Sequence, residues 1–209
     1  MRTTDDLMPT ITAERRAFGD VLRGLSEADW DAPSLCTGWR VREVVAHMTM
    51  PFRYPAPRFL LELARSRGNY ARMADRLARR DARVPIGTLL DGWLTNVAHP
   101  WKPPGGGLPG ALTHDVVHGL DVTVPLGIAH PVGEPALRTV LEHATGPQSL
   151  KHFAPDLTGT RLEATDLDWS FGDGVPLRGA ARHLLLVLAG RRLPPELLTG
   201  PATARFSAV

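Results

Sequence analysis

Residues 30–48 read WDAPSLCTGWRVREVVAHM, a turn followed by a helical pattern. The proline, cysteine and glycine of the first half are typical of a turn. The second half places apolar residues three and four positions apart: Trp39, Val41, Val44, Val45 and Met48. This spacing predicts a helix over residues 39–50 that ends at Pro51 and carries His47 on its buried side.

The same spacing predicts further helices on both sides of this stretch. They cover residues 10–25, 57–80 with a break at Gly68, 89–97, 112–124, 134–144 and 177–192. Residues 99–110 are rich in proline and glycine and predict a loop, whereas residues 161–171 alternate partly and predict a strand before a turn at 172–174. We therefore expect a mainly α fold: four or five bundled helices over residues 1–146, with a small α+β segment, 147–209, packed on them.

Composition excludes several classes of protein. The 209 residues carry 24 lysines and arginines against 22 acidic residues, and a net charge of +2 gives nucleic-acid binding no support. The longest apolar run, residues 184–189, is too short to span a bilayer, so no membrane association is expected. Cys36 is the single cysteine and cannot form an internal disulfide, and Asp5 and Asp6 stand where a signal peptide would be apolar. These features favour the cytoplasm.

Two histidines stand four residues apart in the sequence HDVVH, at His114 and His118. On a helix these positions share one face, so both rings can direct a nitrogen at one metal ion. His47, from a facing helix, would supply a third imidazole. The alternative is that His47 is an ordinary core histidine and that the other two lie on a helix surface, and the spacing alone does not decide between them.

A family resemblance adds to this pattern. The block at residues 30–47 resembles the opening of the mycothiol-dependent maleylpyruvate isomerase family, a branch of the DinB-like helical bundles, with its tryptophan after a short turn and its histidine eight residues later. HDVVHGLD at 114–121 is similar to the second motif of the family. EATDLDW at 163–169 and LLLVLAGR at 184–191 are similar to its C-terminal segment. The resemblance spans nearly the whole chain and implies a DinB-like four-helix bundle.

The resemblance implies metal ligands at His47, His114 and His118, with Zn²⁺ as the usual ion and mycothiol as the thiol cosubstrate. The isomerase has glutamate where this chain has His114, and an all-histidine set is similar to other DinB-like thiol transferases, so the substrate stays open. DinB-like bundles often pair, which leaves room for a homodimer. Four residues are weak candidates for binding the cofactor: Arg178, Arg182, Arg191 and Trp101, the last at the mouth of the pocket.

Three neutral imidazoles leave a divalent ion its full charge and an open position, the arrangement of catalytic sites. A thiol bound there is deprotonated, so we expect attack on a small electrophile, with S-transfer or thiol-assisted cis/trans isomerisation as the result. Two alternatives remain: a metal hydrolase that uses bound water, and a metal-binding accessory or sensor protein without turnover.

Three further residues near these motifs need an interpretation. Asp121, three positions after His118, is expected either to hydrogen-bond an outer histidine nitrogen or to serve the helix end. Asp115 lies about 100° around the helix from His114 and is not expected to be a ligand. Cys36 precedes a helix, but no paired base is evident near it, so a structural role is expected.

Overall fold

The computed structural model describes residues 7–130 and 132–208, which form two compact units that divide at residue 130. Helices follow one another through the first unit: α1 (Met8–Gly24), α2 (Glu27–Asp31), α3 (Val41–Met48), α4 (Met50–Arg53), α5 (Ala56–Arg65), α6 (Tyr70–Asp81), α7 (Ile86–Leu94) and α8 (Gly107–Thr123). None of the described helices is long and apolar enough to cross a membrane.

The core of the first unit joins α1, α3, α7 and α8. Helix α1 packs against α7 and α8, while α3 packs against α6, α7 and α8. Phe18 and Trp93 meet edge to face with ring centroids 5.4 Å apart, and both are almost fully buried. The Trp93 indole N–H donates to the Arg15 carbonyl at 2.8 Å, so its one polar atom is satisfied inside the core. The predicted mainly helical bundle is confirmed.

The long helix predicted over residues 57–80 is divided, as the glycine suggested. Helix α5 ends at Arg65, and the chain then takes left-handed backbone angles at Arg67 (φ 56°) and Gly68 (φ 74°). Such angles cannot continue an α-helix. Asn69 then caps α6, since its side chain accepts a hydrogen bond from the Arg72 N–H at 2.9 Å.

Helix α8 begins earlier than the sequence indicated. The predicted loop over residues 99–110 is wrong for its last four residues, because α8 starts at Gly107. Pro109 lies in the first turn, where a helix has no partner for the missing N–H. The resulting helix has 17 residues and is buried over most of its length, from Gly110 to Thr123. It carries His114, His118 and Asp121.

The second unit contains, among its described residues, four α-helices, a short 3₁₀ helix (Pro195–Leu197) and one small sheet. Their bounds are α9 (Glu134–Ala144), α10 (Pro147–Phe153), β1 (Thr160–Ala164), β2 (Ser170–Phe171), β3 (Val175–Gly179), α11 (Ala181–Leu188) and α12 (Thr203–Phe206). The strand order is β2-β1-β3, with β1 antiparallel to β2 and parallel to β3. Leu162 is paired with Phe171 on one side and with Leu177 on the other.

The sequence misplaced several boundaries in this unit. The helix predicted from residue 177 is wrong at its start, because residues 175–179 pair with β1 and the helix begins at Ala181. Leu177 fits both periods, and its burial against the sheet decides for the strand. The predicted strand over 161–171 is two strands. Helix α10 was not predicted, and α9, which the boundary at residue 146 assigned to the bundle, packs here against α11.

Candidate metal centre

Three histidines from two packed helices meet in the first unit. Helix α3 carries His47 near its C-terminus, and α8 carries His114 and His118 one turn apart. One ring nitrogen of each lies within 4.8 Å of the others. The ring centroids are 5.3 Å apart for His47 and His114, 5.0 Å for His47 and His118, and 4.8 Å for His114 and His118. The structure therefore brings together the three residues that the sequence singled out.

A buried carboxylate lies beside the Nδ1 atom of each α8 histidine, which we call the outer nitrogen. His118 Nδ1 is 2.9 Å from Asp121 Oδ2, and His114 Nδ1 is 3.0 Å from Asp115 Oδ1. An ionised carboxylate only accepts hydrogen bonds, so each Nδ1 carries the proton and each Nε2 presents its lone pair. Metal-binding histidines show this outer hydrogen bond as a rule. A set of three imidazole nitrogens, two of them on rings fixed in this way, thus fits a divalent cation.

The second carboxylate of this pair, Asp115, is held by a buried arginine. Arg15 Nε donates to Asp115 Oδ2 at 2.7 Å, and the two side chains are 0% and 4% exposed. Arg15 Nη1 also donates to the His99 carbonyl at 2.7 Å. Sequence reasoning considered Asp115 only as a ligand and missed Arg15, which lies 100 positions away in the chain. The available signal was that Arg15 occupies the apolar face of α1, four residues after Ile11 and three before Phe18.

Two tryptophans flank the histidines. The Trp39 ring lies 5.2 Å from the His47 ring, and its indole N–H donates to Asp75 at 2.8 Å. The Trp101 ring lies 5.1 Å from the His114 ring. The Trp101 backbone N–H donates to His99 Nδ1 at 3.1 Å, and burial, together with Arg15, lowers the pKa of His99 and keeps that nitrogen an acceptor. The two tryptophan rings therefore form aromatic walls beside the histidines.

Cys36 lies on the outer side of the His118 ring. Its Sγ is 3.0 Å from Asp121 Oδ2 and 3.8 Å from His118 Nδ1. The sequence predicted a structural role for Cys36 because no base is evident near it. Its neighbours in α8 could not be identified from the sequence, since the turn and α8 are distant in the chain.

The arginines suggested as cofactor ligands belong to the second unit and have partners there. Arg178 Nε pairs with Glu163 at 2.8 Å. Arg182 Nε lies 3.3 Å from His183 Nε2, and Arg191 Nη1 donates to the Ala189 carbonyl at 2.8 Å. A role for these three residues in binding mycothiol stays a prediction.

Comparison with known proteins gives matches in sequence and in structure. Residues 11–56 match the family model described as the mycothiol maleylpyruvate isomerase N-terminal domain, a stretch that contains the turn and His47. No curated protein sequence matches the chain. A crystal structure of a histidine-to-alanine mutant of the mycothiol-dependent maleylpyruvate isomerase is 12% identical with a TM-score of 0.65, over 97% of this chain and 94% of that one.

A second crystal structure of the mycothiol-dependent maleylpyruvate isomerase is 14% identical with a TM-score of 0.56, again over 97% and 94% of the two chains. The resemblance predicted from the sequence is confirmed by these matches. The chain has the fold of the mycothiol-dependent maleylpyruvate isomerase, and its residues 11–56 match the N-terminal domain family of that enzyme.

Proposed function

We propose that the chain is a metal-dependent enzyme that activates a low-molecular-weight thiol, mycothiol, for attack on a small electrophile. The observation that carries this proposal is the convergence of His47, His114 and His118 within 4.8 Å, in a fold shared with a mycothiol-dependent isomerase. These three residues would hold one divalent ion, Zn²⁺ in our proposal. When bound, such an ion lowers the pKa of a coordinated thiol enough to deprotonate it.

The surrounding residues prepare the three imidazoles for this task. Asp115 and Asp121 accept hydrogen bonds from Nδ1 of His114 and His118, which fixes the rotation of each ring and leaves its Nε2 as the ligand atom. Neutral ligands leave the positive charge of the site undiminished for an anionic sulfur. Trp39 and Trp101 lie beside the histidines, and aromatic rings at this place would suit a planar conjugated electrophile.

Two outcomes of the thiol attack fit this site. If the sulfur of mycothiol adds to an activated carbon–carbon double bond and a proton adds to the neighbouring carbon, the product is a conjugate. If the new single bond rotates and the thiol then leaves with that proton, the double bond is restored in the other geometry and mycothiol is regenerated. The first is a transferase reaction and the second an isomerase reaction. We further propose a cytoplasmic location and, as for other DinB-like bundles, a homodimer.

A thiol-consumption and isomerisation assay tests the proposal. Metal-loaded protein is mixed with mycothiol and a panel of electrophiles that includes maleylpyruvate, and both thiol loss and double-bond geometry are followed. We expect turnover that His47→Ala abolishes and that His152→Ala, a change to an exposed histidine of the second unit, leaves intact. Thiol-independent hydrolysis would instead identify a metal hydrolase. Metal binding with neither turnover nor mycothiol binding would identify an accessory or sensor protein.

A further inference from the structure

The thiol of Cys36 has no part in the proposed reaction, yet it contacts the outer partner of a histidine ligand. Asp121 Oδ2 lies 3.0 Å from Cys36 Sγ and 2.9 Å from His118 Nδ1. Because a carboxylate oxygen only accepts, the thiol and the imidazole both donate to this one atom. Asp121 is fully buried, so this oxygen is fixed between its two donors.

The turn that holds Cys36 is tightly braced within itself. The Ser34 hydroxyl donates to the Trp39 carbonyl at 2.8 Å and accepts from the Cys36 N–H at 3.1 Å. The Trp39 N–H closes the turn on the Cys36 carbonyl at 2.9 Å, and Gly38 supplies the left-handed backbone angle that this closure requires (φ 77°). These hydrogen bonds therefore fix the backbone at Cys36, from which the thiol reaches Asp121.

The same turn is attached to both helices that carry the histidines. At one end the Leu35 N–H donates to the Asp121 carbonyl at 3.0 Å, which adds a backbone contact to the thiol contact. At the other end the Trp39 ring packs on His47. Residues 34–39 thus contact His118 through Asp121 and contact His47 directly.

We infer that Cys36 is a positioning residue for His118, acting through Asp121. The inference rests on the proposed metal site and deepens it. The thiol restrains the carboxylate oxygen, and the carboxylate fixes both the rotation of the imidazole and the proton on Nδ1, which leaves Nε2 as the ligand atom. Outer partners of this kind change metal affinity by about 10- to 100-fold when they are removed. Cys36 is one hydrogen bond further from the metal than Asp121, so we expect its removal to weaken metal affinity by about tenfold, the lower end of that range.

Titration of metal-free protein with Co²⁺ against a competing chelator measures the effect. We expect Cys36→Ala to weaken Co²⁺ binding about tenfold, whereas Cys36→Ser, which keeps a donor at the same place, stays within about threefold of the wild type. The ¹⁵N spectrum of His118 adds a second readout. It should show a single Nδ1–H tautomer in the wild type and in Cys36→Ser, and a mixture in Cys36→Ala. A residue with only a packing role would lower the stability of the metal-free protein and move neither quantity.

A chemical variant covers the case in which Cys36→Ala does not fold. Cys36 is the only thiol of the chain, so folded wild-type protein can be methylthiolated at this one position and restored with dithiothreitol. Modification should weaken Co²⁺ binding to a similar degree and reduction should reverse it. Unchanged Co²⁺ affinity in the methylthiolated protein would overturn the inference, as would unchanged affinity in a folded Cys36→Ala variant. A thiolate-to-cobalt charge-transfer band that Cys36→Ser removes would also overturn it, since Cys36 would then be a ligand. Wild-type protein that binds no Co²⁺ would refute the proposed function itself.

Discussion

Replacing Arg15 by methionine is expected to cost the first unit about 3–5 kcal/mol of unfolding free energy, the range measured when one partner of a buried ion pair is removed. The guanidinium is fully buried and lies 2.7 Å from an Asp115 carboxylate that is 4% exposed, so water cannot replace it. The substitution also removes the donor to the His99 carbonyl. Methionine fills a similar volume, which keeps the loss electrostatic and not a cavity effect.

Denaturant unfolding followed by tryptophan fluorescence is the assay, because four of the five tryptophans lie at or before residue 101 and report on the first unit. Arg23→Met is the matched control. Its partner is Asp20, and the two side chains are 54% and 72% exposed, so its loss should stay below about 1 kcal/mol. Adding Asp115→Asn to Arg15→Met removes the stranded charge and should restore part of the lost free energy. Equal effects of Arg15→Met and Arg23→Met would refute the reasoning.

Three further predictions concern the pH dependence of stability, the space beside Gly174 and the aromatic walls of the candidate site. A hydrogen bond from Arg76 holds the pKa of the buried Glu62 carboxyl below its usual value. The stabilising contribution of Glu62 is therefore complete above about pH 4.3 and is lost as the pH falls through the lower folded-state pKa. Glu62→Gln should therefore lose less stability than the wild type between pH 5 and about pH 3 in denaturant unfolding. Gly174→Ala should cost about 3 kcal/mol or more by thermal unfolding, because its Cβ would meet the Gly159 carbonyl oxygen at a φ of 119°. Cu²⁺ bound by the three histidines should quench tryptophan fluorescence. Because the Trp101 ring lies 5.1 Å from the His114 ring, Trp101→Phe should remove a large share of that quenching.

Each of these predictions has a matched control in the chain. Glu134→Gln changes an exposed ion pair and should leave the pH dependence unaltered. Gly159→Ala has a positive φ of 68° but nothing within 4 Å of the added Cβ, so its cost should be about 1–2 kcal/mol. Trp169→Phe lies in the second unit and should leave the quenching intact. A control that matched its partner variant would contradict the corresponding prediction.

The sequence predicted the helices that present an apolar stripe and failed where local signals conflict. Helix α3 and the break near Gly68 follow from spacing and from glycine, which act within a few residues. The start of α8 was missed because Pro109 is a breaker inside a helix but acceptable in a first turn. Residue 177 was assigned to a helix because an apolar residue at that position fits either period, and only pairing with β1 distinguishes them.

The candidate site could likewise be predicted from the sequence only in part. His114 and His118 share a helix face by spacing, and the apolar surroundings of His47 pointed it inward, so the three could be selected from the sequence. Their outer partners could not all be found. Asp121 lies one turn from His118 and could be predicted as its partner from the sequence. Arg15, in contrast, contacts Asp115 from 100 residues away in the chain. Contacts of that separation depend on how the helices pack, which no local pattern encodes.

The most direct test of the account is the metal content of the chain and of its histidine variants, measured by elemental analysis after Zn²⁺ loading and removal of free ion. We predict one equivalent per chain for the wild type and for His152→Ala, and none for the double variant His114→Ala and His118→Ala, provided that each variant keeps its helical circular dichroism. A wild-type protein that retains no metal under any loading condition, or a double variant that retains a full equivalent, would contradict the central claim.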